Sequence, residues 1–211
     1  MKKLNKKGFT LIELLAVITI MGILMMVAIP AVARTIENTR RDTFADTALQ
    51  YVSAIKTNVT SDSVKCDSKV ISALPAGFYF YYFDSAQNSG KDLMEQGGKS
   101  SWGNAEVRGA VIIHKTINGN RTSYDYAVYM ADSVGRGIGL KDGTYANQIK
   151  KVIAEDEVGR SVVSTASDLK DVYDKGEASF VTSVQYGDKK DEGGAQISTG
   201  DISSNSCTLD F

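Results

Sequence analysis

The sequence predicts an α+β protein in which one very long N-terminal helix packs on an antiparallel β-sheet head. Three observations predict it: a nearly unbroken apolar stretch from Phe9 to Ala33, a helical apolar period that continues to Val59, and a remainder of short aromatic and β-branched runs separated by turn signals. About 150 residues follow the helix, enough for one globular domain rather than two.

Between Phe9 and Ala33 the only polar side chains are Thr10, Glu13 and Thr19. About 25 helical residues cross an apolar layer roughly 30 Å thick, so the stretch is a membrane-spanning candidate. Lys2, Lys3, Lys6 and Lys7 favour a cytoplasmic N-terminus, while Arg34, Arg40 and Arg41 on the far side oppose that bias. Glu13 is the anomaly. A carboxylate costs about 2.5 to 3.5 kcal/mol at mid-bilayer and less near its edge, so it calls for a partner. Upstream lysines can snorkel toward it, which makes a plain signal-anchor one reading. A secretory signal peptide cut after Ala31-Val32-Ala33 is another, although its apolar core normally spans about 7 to 15 residues and lacks an acid. Gly22 and Pro30 weaken helical order, by about 1 and 3 kcal/mol relative to alanine.

Beyond Pro30, Val32, Ile36, Phe44, Ala48, Val52, Ile55 and Val59 recur mostly at three- and four-residue steps. That spacing predicts an amphipathic continuation whose apolar stripe holds the head. From Phe9 to Thr60 the helix would be on the order of 75 Å long. In the remainder, Gly77–Phe83 is an aromatic run that favours a strand. Residues 106–117 and 123–131 read as strands joined at Asn118-Gly119-Asn120, a hairpin signal. Phe180–Tyr186 reads as a further strand, and Tyr145–Glu157 as a helix with Ile149, Val152 and Ile153 on one side. The run from Gly135 to Gly139 reads as a glycine-rich loop. A long helix on an antiparallel sheet is the simplest way to bury these faces.

Lys7-Gly8-Phe9-Thr10-Leu11-Ile12-Glu13, followed by apolar residues to Pro30, resembles the class III leader and N-terminal helix of type IV pilins and of the related pseudopilins of type II secretion and competence systems. The resemblance covers about residues 1–60. It implies a leader at 1–8, a transmembrane and filament-core helix at 9–30, an amphipathic continuation at 31–62 and a globular head at 63–211. It also implies cleavage between Gly8 and Phe9 by a prepilin peptidase, followed by N-methylation of Phe9. Gly8 suits such a cut because a residue without a side chain lets a protease approach the backbone closely. In the family, the carboxylate matched here by Glu13 pairs with the new amine of a neighbouring subunit, and Thr10 can add a hydroxyl. The segment between the positions of Gly22 and Pro30 unwinds in assembled filaments.

What the resemblance implies is therefore structural, not enzymatic: the subunit of a type IV pilus, a homo-oligomeric helical filament joined by minor pilins. An assembly ATPase and a platform protein would act in trans, because the chain has no nucleotide-binding motif. The precursor would be a single-pass protein of the cytoplasmic membrane with its N-terminus inside, and the product an extracellular filament for adhesion, motility or similar surface roles. A pseudopilin is the alternative within the family. A secreted binding domain released after Ala33 is the alternative outside it.

Cys66 and Cys207 are the two cysteines. A bond between them would close a loop of about 140 residues and contribute up to about 5 kcal/mol in the chain-entropy picture. Pairing agrees with export, and two free thiols are the alternative. The 24 basic and 25 acidic side chains leave no broad basic surface for nucleic acid, and loss of residues 1–8 would remove four lysines to leave a formal charge of −5. His114 is the lone histidine, so a triad or multi-histidine metal site has little to build on. Asp168, Asp171 and Asp174, like Asp188, Asp191 and Glu192, lack the spacing of a calcium loop and read as solvated charges. No cofactor is expected.

Overall fold

The computed structural model describes residues 10–87, 90, 93–94, 98–138, 151–165, 167–176, 185–191, 195–199 and 205–209. Contacts divide the chain into two compact units, Met1–Thr39 and Arg40–Phe211. Helix α1 (Leu11–Thr60) contributes to both.

In the first unit α1 passes through Gly22 and Pro30 without a break. Its hydroxyls are satisfied within the helix: Thr19 Oγ1 donates to the Ala16 carbonyl at 2.9 Å and Thr35 Oγ1 to that of Ala31 at 3.0 Å. A side chain at Gly22 would meet nothing, so no packing contact demands glycine there. Val32 and Ile36, expected in the stripe that holds the head, are instead exposed. The buried stripe begins at Phe44, because only from there does α1 have apolar partners to cover it.

The second unit is built on a sheet. Its strands are β1 (Val64–Cys66), β2 (Lys69–Val70), β3 (Gly77–Asp84), β4 (Val107–Asn118), β5 (Arg121–Asp132), β6 (Arg136–Ile138), β7 (Lys151–Ala154), β8 (Val163–Thr165), β9 (Gln185–Lys190), β10 (Gln196–Ser198) and β11 (Ser206–Leu209). A second helix, α2, spans Ser167–Lys175. Among the described residues the order is β10-β9-β7-β5-β4-β3-β11-β1-β2, with β6 joining β5 to β8. Pairing is antiparallel except between β11 and β3 and between β7 and β9.

The expected hairpin is β4–β5, paired over twelve positions from Val107↔Asp132 to Asn118↔Arg121. Gly119 opens its two-residue turn at φ 59°, a conformation other residues adopt at a steric cost. Tyr145–Glu157 is not a helix where it is described: Lys151–Ala154 is β7 and Glu155–Glu157 a 3₁₀ turn, while 145–150 lie outside the described residues. The reason is burial on both faces, Val152 in one apolar cluster and Ile153 in the other, a period of two that a one-sided helical stripe does not need. The glycine-rich loop is likewise part strand, since Arg136–Ile138 forms β6. Of the expected strand Phe180–Tyr186, residues 185–186 open β9 and 180–184 lie outside the described residues.

Both faces of the central strands are buried. On one, Phe44, Ala48, Tyr51, Val52, Ile55 and Val59 of α1 cover Phe83, Val111, Ile113, Val128 and Met130. Tyr51 stacks on Phe83 at 3.9 Å, and Phe44 meets Trp102 edge-on at 5.7 Å. Gly98, at φ 49°, passes so near the Tyr51 ring that a Cβ would collide with it. On the other face Leu169, Val172 and Tyr173 of α2 join Phe80, Ile112, Tyr129 and Val152. Lys115 is buried, with no carboxylate partner among the described residues. Its ammonium donates instead to the carbonyls of Ile71 at 3.0 Å, Ser72 at 2.7 Å and Leu74 at 2.6 Å, which clamps the turn after β2.

The last strand, β11, lies between β1 and β3, and the register sets Cys66 opposite Cys207. The two form a disulfide across 141 residues. Directly opposed residues of an antiparallel pair bring their side chains close, so the bond ties the C-terminal strand to the chain just after α1.

Candidate assembly site

Gly8 and Phe9, the expected cleavage and methylation positions, lie outside the described residues. Description begins at Thr10, and there the local chemistry is explicit. The Thr10 amide and hydroxyl both donate to Glu13 Oε2 at 2.8 Å, and the Glu13 amide donates back to Thr10 Oγ1 at 3.3 Å. This reciprocal arrangement is a capping box: the threonine closes the first helical turn and the glutamate three residues later reaches back. It satisfies amides that the start of a helix otherwise leaves open, and it places a negative charge at the positive end of the helix dipole. Among the described residues, both Thr10 bonds to the Glu13 carboxylate fall on Oε2.

The rest of the site is surface. From Leu11 to Ile29 every large apolar side chain of α1 is at least 50 % exposed. By length and composition the helix can cross a membrane. An apolar surface running around a whole helix demands an apolar surround, either lipid or the like helices of other subunits. Thr10 and Glu13 are thus brought together, Gly22 and Pro30 stand in the exposed stretch, and Cys66 with Cys207 lies in the head, bonded. The Thr-x-x-Glu spacing of a capping box is legible in the sequence at Thr10 and Glu13.

Three comparisons bear on this geometry. Residues 3–29 match the family model of the prokaryotic N-terminal methylation motif, the class III signal peptide of type IV pilins. No curated protein and no solved structure matches the chain. The motif supports a precursor of the type IV pilin or pseudopilin type. Together with the long apolar helix it fits a membrane-anchored precursor, and in general it implies processing by a prepilin peptidase and assembly into filaments.

Proposed function

We propose that this chain is the structural subunit of a type IV pilus, trimmed between Gly8 and Phe9, N-methylated at Phe9 and polymerised through α1 into an extracellular filament. The observation that carries this reading is the exposed apolar stretch from Leu11 to Ile29, preceded by the methylation motif and opened by the Thr10–Glu13 box. Before assembly the stretch anchors the precursor in the cytoplasmic membrane, with the lysine-rich end inside. After cleavage the Phe9 amine is one residue from the box. Its positive charge in a neighbouring subunit is the partner for the Glu13 carboxylate, and pairing neutralises two charges that an apolar filament core disfavours separately. The assembly ATPase, the platform protein and minor pilins act in trans.

Release after Ala33 fits the chain less well. α1 continues without interruption through Ala31–Ala33 and on to Thr60, so such a cut would fall inside a helix instead of in an accessible extended segment. The test is electron microscopy of filaments sheared from cells that make this chain, with an antibody against the head. Labelled surface fibres are expected. Label confined to the cell envelope would overturn the pilus reading in favour of a pseudopilin.

A further inference from the structure

The sheet of the head has a gap beside β5. β7 ends at Ala154, after pairing with Ala127 and Val128 of β5 on one side and with Gln185 and Tyr186 of β9 on the other. In the direction in which β7 was running, β5 continues to Arg121 and β9 to Lys190. After Ala154 the chain stops pairing as a strand and enters the 3₁₀ turn Glu155–Glu157. Among the described residues, Arg121–Asp125 pair with β4 on one edge and with no strand on the other. On the β9 side a side chain takes a strand's place: the Glu157 carboxylate accepts the Asp188 amide at 3.0 Å. Such an open edge is a ready template for another extended chain.

A cavity of about 690 Å³ opens at the same place, with Tyr124, Asp125 and Tyr126 of β5 facing Tyr186, Lys189 and Lys190 of β9. That volume is within the range of pockets that enclose several side chains. Its charges cancel: Lys56, Lys189 and Lys190 stand against Asp125, Glu155 and Asp156. Two of these pairs are closed within the protein, Lys56 with Glu155 and Lys189 with Asp156. That leaves one charge of each sign outside the pairs, Lys190 and Asp125, so the cleft has no net charge with which to favour an ionised ligand over a neutral one. Aromatic walls between two backbone edges suit a polypeptide, whose main chain bonds to the edge while alternate side chains enter the pocket.

We propose that this cleft docks an extended, uncharged segment of another polypeptide, added as a strand along Arg121–Asp125 of β5, with one alternate set of its side chains beside Tyr124 and Tyr126 and the other set beside Tyr186 on the opposite face. The proposal concerns the head alone and holds for either pilus or pseudopilin. The full chain in detergent micelles is titrated, by fluorescence anisotropy, into a labelled and end-capped hexapeptide Thr-Val-Thr-Tyr-Thr-Val, and into two versions N-methylated at odd or at even residues. Strand addition uses the amides of one alternate set, so saturable binding is expected that falls at least tenfold for one methylated version and is kept by the other. Tyr124→Ala, compared at a temperature where circular dichroism shows the variant folded, should weaken the parent peptide about fivefold through lost ring contact. No saturable binding, or equal binding of both methylated versions, overturns the proposal.

Discussion

Between Leu11 and Ile29 every large apolar side chain of α1 is at least half exposed, whereas between Phe44 and Val59 the same helix sinks seven apolar side chains into the core of the head. The two stretches share a secondary structure and differ in pattern. The first is apolar all round, which in water has no stable home and requires lipid or other helices. The second is apolar on one stripe, which a single sheet can cover. A change in periodicity along one helix therefore separates a part that must associate with other molecules from a part that completes its own domain.

The sharpest way to break this comparison is at Glu13. Glu13→Ala should abolish surface filaments, at least a tenfold loss by quantitative immunoblot of the sheared fraction, while membrane insertion and the melting of the head stay unchanged; normal filament yield would break the pairing account. Removing the disulfide comes next. Cys66→Ser with Cys207→Ser should cost up to about 5 kcal/mol, and reduction of the native chain should match it in denaturant titrations. Paired alanine substitutions sharpen the contrast directly. Ile55→Ala in the buried stripe should cost about 2 to 5 kcal/mol of head stability, while Ile18→Ala in the exposed stretch should leave it unchanged.

The smallest effect expected is a pH dependence at His114. This ring stacks on Phe78 at 4.2 Å, and burial lowers its affinity for a proton against a weaker opposing pull from Asp125. With the folded value below the ordinary 6.5, the unfolded chain binds the proton first, so acidification below 6.5 removes stability. His114→Phe keeps the stack and loses the titration. Its melting temperature should fall less than that of the native chain between pH 7.5 and pH 5.5, and equal falls would refute the assignment.

Much of this architecture was legible in the residues. The aromatic run of β3 and the hairpin with Gly119 at its turn follow from period and turn chemistry, and the stripe from Phe44 to Val59 follows from helical spacing. β7 has the local look of a helix because Ile149, Val152 and Ile153 fit a helical face, while burial on both sides of Val152 and Ile153 comes from strands far away in sequence. α2 could have been found, since Leu169, Val172 and Tyr173 carry the three- and four-residue spacing. The buried Lys115 was not legible, because its three carbonyl partners come together only in the folded turn. The insertion of β11 between β1 and β3 has no local signature. It is a long-range pairing, and it is what brings Cys207 to Cys66.

The Thr10–Glu13 box was written in its spacing, yet its partner depends on where the precursor is cut. Intact mass measurement and N-terminal sequencing of the mature protein recovered from filaments test that point most directly. The account predicts a chain that begins at Phe9 with a methylated amine. A chain that begins at Arg34, or one that retains Met1, would contradict it.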